Sequence, residues 1–132
     1  MRKRFSLLIL FLCGLAVLAP AFSGTAQALS RQEEEKIEIL LQALAGQSET
    51  VFIRNGSEHN AGEAATHLRR KLNQTRRRLA TAEEFIDKVA SSSSITGQPY
   101  LIRQPGRAEE PAGPYLRRLL QEALKLRGPE GR

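Results

Sequence analysis

The chain has 132 residues, 26% of them charged and only 5% aromatic, with one cysteine, no tryptophan and a formal net charge of +6. That length supports one small domain with a single core, not two. A lone cysteine rules out an internal disulfide and every paired-cysteine metal or redox motif.

Arg2-Lys3-Arg4 stands directly before an apolar run from Leu7 to Leu18. The run is shorter than the roughly 20 residues a membrane-crossing helix needs. Pro20 breaks it, and small and polar residues lead to Ala26-Gln27-Ala28. A basic stretch, a short apolar run and a small-x-small triplet are the marks of a cleaved signal peptide. Residues 1–28 are therefore expected to be removed between Ala28 and Leu29, placing the chain in the periplasm. Lipidation is not expected, because Cys13 follows Leu12 in mid-run rather than a small residue at its end. Cleavage removes Cys13 and three basic residues, leaving 104 residues with 17 basic against 14 acidic, a net charge of +3. No transmembrane segment remains in that mature chain.

Helix signals then recur with their caps. Ser30 and Glu33 form an S-x-x-E capping box, and Ile37, Leu40, Leu41 and Leu44 repeat at helical spacing up to Gly46. This predicts a helix over 31–45. Val51-Phe52-Ile53 reads as a short strand ended by the Asn55-Gly56 turn pair. Asn60 and Glu63 cap a second helix whose apolar stripe is Ala61, Ala64, Ala65, Leu68, Leu72 and Leu79. Thr81 and Glu84 open a third, with Phe85, Ile86 and Val89 inward. Serines 91–94 end it, because their hydroxyls compete for the backbone. Tyr100-Leu101-Ile102 is a second strand and residues 104–113 a loop. Pro114 fits the first position of a last helix with Leu116, Leu119, Leu120 and Leu124 inward. Residues 128–132 should fray. The expectation is a mainly helical α+β domain over 29–127, about four helices in the order helix-strand-helix-helix-strand-helix. Two short strands do not stand alone, so they should pair with each other. A faint repeat accompanies this order, with Val51-Phe52-Ile53-Arg54 before Leu68-Arg69-Arg70 and Tyr100-Leu101-Ile102-Arg103 before Leu116-Arg117-Arg118.

No cofactor motif is present, and none of the candidate sites is strong. His59, Glu63 and His67 share a spacing of four, but His59 precedes the expected cap and no cysteine completes a zinc set. The plain alternative places His59 in an exposed turn and bonds His67 to a neighbouring loop. Arg69, Arg70, Lys71, Arg76, Arg77 and Arg78 spread around the helix rather than forming a phosphate-binding stripe, and no aromatics interleave for base stacking. They read as a solvated surface partly paired with Glu83 and Glu84, and nucleic acid is not an expected partner. Ser92, Ser93 and Ser94 lack a G-x-S-x-G or S-x-x-K setting for nucleophilic chemistry.

Two blocks of residues carry a resemblance. The first runs Phe52-Ile53-Arg54-Asn55-Gly56, Glu58-His59, Glu63-Ala64, His67-Leu68-Arg69 and Lys71-Leu72. The second runs Thr81-Ala82-Glu83, Phe85-Ile86-Asp87 and Val89-Ala90-Ser91-Ser92-Ser93-Ser94, ending Gly97, Pro99 and Tyr100. Together they resemble the YfeK-like family, small exported proteobacterial proteins classed as a domain of unknown function. The resemblance covers nearly the whole mature chain and implies a periplasmic address but no activity. In the enterobacterial form a cysteine follows the Glu-His pair, where this chain has Asn60-Ala61, so cysteine chemistry is not implied here.

The expected function is a non-catalytic binding module of the cell envelope, for an envelope protein or an anionic envelope polymer. The alternative is a small-ligand, metal or catalytic site in which His67 and Lys71 meet Ser93, Ser94 and Tyr100. N-terminal sequencing of the protein recovered from a periplasmic extract checks the address. Leu29 should come first, and an intact Arg2-Lys3-Arg4 leader there overturns the assignment.

Overall fold

The computed structural model describes residues 28–128. The expected signal peptide, except Ala28, and the tail beyond Gly128 lie outside the described residues. The architecture is α+β and mainly helical. Helix α1 (Arg31–Ala45) leads to strands β1 (Val51–Arg54) and β2 (Ser57–Asn60), then helix α2 (Ala61–Thr75). A 3-10 turn over Arg76–Arg78 joins α2 to helix α3 (Ala82–Phe85), which widens into a π-helical turn over Ile86–Ala90. Strands β3 (Leu101–Arg103) and β4 (Glu110–Pro111) precede helix α4 (Ala112–Arg127).

The strands form one antiparallel sheet in the order β2-β1-β3-β4. At its centre β1 pairs with β3, so that Phe52 faces Ile102 across the ladder, and each is 1% exposed. These two side chains point at the helices. Val51, Ile53 and Leu101 alternate to the opposite face and are half-buried. Helix α2 packs on β1 and β2, α4 packs on β3 and β4, and α1 lies against both helices. Ile37, Leu40, Leu41 and Leu44 of α1 are wholly buried there. Among the described residues no helix is long and apolar enough to cross a membrane.

Two strands were not anticipated. Asn55 and Gly56 do more than end β1: their φ angles of 49° and 78° make a two-residue turn whose twist matches that of a hairpin. The returning strand is Ser57-Glu58-His59-Asn60, which has no apolar alternation to mark it and borrows its ladder from β1. His59 is therefore not in an exposed turn but opposite Phe52 in β2. Likewise residues 104–113 are not all loop. Glu110 and Pro111 pair with β3 at the sheet edge, where proline's missing N–H costs no ladder bond. Helix α4 then starts at Ala112, two residues before Pro114. Helix α2 also ends sooner than its stripe implies. Thr75 Oγ1 donates to the Lys71 carbonyl at 2.7 Å, and Leu79 is buried from an extended backbone.

The caps form with two exchanges of partners, one of them at α3, where the Glu84 carboxylate accepts from the Ala80 N–H at 2.8 Å rather than from Thr81. Asn60 and Glu63 make a complete capping box. Ser30 Oγ accepts from the Glu33 amide, but the Glu33 carboxylate does not return the bond to Ser30. It accepts instead from the backbone N–H of Ala82 at 2.7 Å and from Lys36 at 2.6 Å, tying the start of α1 to the start of α3. The lysine bond first, then the amide, holds the Glu33 carboxyl below the usual carboxylate range. A depressed folded pKa stabilises above the unfolded value and loses that stability as pH falls. Glu33→Ala should therefore cost about 1–2 kcal/mol at pH 7 in urea unfolding, with the difference shrinking below pH 4.5. An equal cost at pH 3 and pH 7 contradicts this role.

Candidate functional site

The sheet and α2 bring a polar cluster together at the end of β1. His67 and Lys71 lie one turn apart on α2. Lys71 reaches under the sheet, where its Nζ donates to the Val89 carbonyl at 2.7 Å, the Tyr100 hydroxyl at 3.1 Å and the Ser92 carbonyl at 3.2 Å. An ammonium has three hydrogens, so all three are committed. Val89 and Ser92 sit at the end of the π turn, where helical carbonyls lack partners. Ser91 helps end that turn by donating its hydroxyl to the Ile86 carbonyl five residues back.

The serine segment is held by its own side chains. Ser93 is 5% exposed, and its Oγ accepts from the amides of Thr96 at 3.2 Å and Ile95 at 3.3 Å. Gly97, with φ of 72°, closes this tight loop, and an isolated bridge joins Ser92 to Pro99. Thr96 Oγ1 donates to Asn55 Oδ1 at 2.9 Å, latching the loop to the β1–β2 turn. Tyr100 follows, 2% exposed, with its ring 5.3 Å from that of Phe52 and 6.5 Å, edge-on, from that of His67.

All five residues singled out in the sequence, His67, Lys71, Ser93, Ser94 and Tyr100, line one cleft of about 400 Å³. They do not contribute alike. Lys71 and Ser93 are bound into the framework, Tyr100 is buried in its wall, and His67 and Ser94 are left nearer solvent. Arg54, Asn55 and Lys88 also line the cleft, together with Gln74, Thr75, Val89 and Ile95, and no acidic residue among the described ones does. Arg54 is the residue no motif marks out, since a single arginine at a strand end carries no pattern. Its Nη1 stands 2.7 Å from His67 Nδ1 and 2.8 Å from Nε2. Arginine only donates, so the imidazole accepts and is neutral.

Burial first, then the charges of Arg54, Lys71, Arg70 and His59, push the His67 pKa down to about 4. Any stability linked to this shift is full above the ordinary value of 6.5 and declines as pH falls toward 4. On the other side of the Arg54–His67 pair lies a second cleft of about 490 Å³, lined also by His59, Glu63, Thr66 and Arg70. His59, Glu63 and His67 do not gather as metal ligands. The His59 Nδ1–Glu63 Oε2 distance is 3.8 Å, and no group of three such ligands occurs among the described residues. The basic run divides as well. Arg69 pairs with Glu38 and Arg76 with Glu34, rather than with Glu83 and Glu84, which take Arg117 and Lys88. Among the described residues, Arg54, Arg70 and Lys71 have no carboxylate within 4.0 Å.

Residues 31–124 match the model of a family of unknown function, DUF5329. The chain is also 51% identical over 86 residues to Uncharacterized protein YfeK of Salmonella typhimurium strain LT2, a match covering 65% of this chain and 68% of that protein. No solved structure matches. The chain belongs to the DUF5329 family.

Melting curves across pH 4–8 separate framework from rim. Lys71→Met should cost about 1–3 kcal/mol throughout, because it leaves the Val89 and Ser92 carbonyls without their partner. His67→Gln should instead flatten the loss of stability between pH 6.5 and 4. The assignments fail if Lys71→Met is neutral or if His67→Gln keeps the full acid lability.

Proposed function

We propose that this protein is a non-catalytic binding module of the cell envelope, exported to the periplasm, and that its cleft beside Arg54 and His67 holds an anionic group of an envelope component. One observation carries the reading. No acidic residue among the described ones lines the cleft. Lys88 is paired with Glu84 and Lys71 is committed to the framework, while Arg54 has only the His67 imidazole as a side-chain hydrogen-bond partner among the described residues. A guanidinium facing a cavity without a carboxylate is suited to a carboxylate, phosphate or sulfate.

Catalysis is less well supported by the same groups. Ser93 Oγ is occupied by two amides, and Lys71 by three acceptors. With a pKa of about 4, His67 is a weak base at neutral pH, where general bases work best near the operating pH.

An anion entering the cleft offsets the positive charges that depress His67, so the ring's pKa rises on binding. Between about 4 and that higher value, binding takes up a proton, and affinity rises as pH falls. Sulfate is a suitable probe because its charge is constant over this range. Calorimetric titration at pH 7.5 and pH 5 should give tighter binding at pH 5, by up to about tenfold for each unit the anion raises the pKa. Arg54→Gln should abolish binding at both values. Absence of sulfate binding at either pH overturns the reading.

A further inference from the structure

The second cleft differs from the first in a way that narrows the ligand. Its wall carries Glu63, which only accepts hydrogen bonds, beside Arg70, which only donates. Thr66 spends its hydroxyl hydrogen on the Gly62 carbonyl at 3.0 Å, which leaves its oxygen free to accept. The His59 ring also lines this cleft, and its Nε2 is buried without a hydrogen-bond partner. A buried polar atom left unpaired is costly and uncommon, and a turn of the His59 ring toward the cleft would let a ligand hydroxyl pair with it.

A second anionic group fits this wall poorly, since it meets the Glu63 carboxylate. An apolar group fits worse, because it leaves His59, Thr66 and Glu63 unsatisfied. A hydroxyl both gives and accepts, so neighbouring hydroxyls match donor-only and acceptor-only groups set side by side. The two clefts meet at the Arg54–His67 pair, which lines both. Resting on the anion-binding reading above, we infer that the ligand is a saccharide bearing one anionic substituent, a carboxylate or a phosphate. The substituent faces Arg54 from the first cleft, and the sugar hydroxyls lie against His59, Glu63, Thr66 and Arg70 in the second. This sets aside chains charged at every unit, such as polyphosphate, whose next charge falls against Glu63.

Titration of the purified protein with glucuronate, glucose 6-phosphate, glucose, acetate, phosphate and sulfate tests this directly. Each sugar acid should bind about tenfold tighter than its bare anion, as expected from two added hydrogen bonds, while glucose alone should show no binding. Thr66→Val, an exposed helix position, and His59→Phe should remove that tenfold and leave sulfate binding unchanged. Sulfate binding with no gain from the sugar overturns the saccharide inference alone. If neither sulfate nor any sugar acid binds, the anion-binding reading falls and takes the saccharide with it.

Discussion

The structure around the clefts depends on one half-buried ammonium. Lys71 joins three stretches of chain that are remote in sequence: α2, the end of the π turn at Val89 and Ser92, and Tyr100 at the entry to β3. A charge partly withdrawn from water needs its hydrogen bonds met, and here all three are. The exchange is mutual, because the same ammonium satisfies carbonyls that a helix end leaves without partners. From this point the rest follows in order. The serine segment turns where Lys71 holds it, the loop latches to Asn55, and Arg54 and His67 are left facing each other between two clefts.

Around that hub the fold is built from one unit used twice. A strand, a short antiparallel return and a helix occur as β1-β2-α2 and again as β3-β4-α4, and the order β2-β1-β3-β4 sets the copies about the centre of the sheet. Each return strand runs straight into its helix, with Asn60 and Pro111 serving as N-caps. The repeat visible in the letters is nonetheless one residue out of step. Aligned by Ile53 and Ile102, it equates buried Phe52 with half-buried Leu101, whereas the ladder pairs Phe52 with Ile102 on the same face. A one-residue slip in a strand exchanges its faces, so the architecture recurs while the lettering is misleading.

What was legible in the sequence was what local chemistry decides. Ser30, Asn60 and Thr81 each accept the expected N3 amide, and α1 has the bounds its periodicity implies. The central pairing of the two apolar strands was also legible. β2 and β4 were not, because a polar four-residue strand and a Glu-Pro pair become strands only when a neighbour offers a ladder. The partner of Glu33 was hidden for the same reason, since Ala82 is 49 residues away. The candidate site divides along the same line. The i, i+4 spacing of His67 and Lys71 and the resemblance of the serine block brought five residues to one cleft, yet not their roles. That Lys71 and Ser93 are framework, and that Arg54 is left facing the cleft beside His67, depends on tertiary hydrogen bonds which no spacing encodes.

The aromatic inventory has a practical corollary. The chain has no tryptophan and two tyrosines, and both are buried, Tyr100 at 2% and Tyr115 at 5% exposure. Its near-ultraviolet absorption and emission therefore arise from two sheltered phenols and no indole. Tyr115 stands against Thr50 in the packing around α4, while the Tyr100 hydroxyl oxygen accepts a hydrogen bond from Lys71 beside the cleft. The molecule thus carries an intrinsic optical probe for each region, one reading the integrity of the core and the other the state of the cleft wall, without any dye or engineered label.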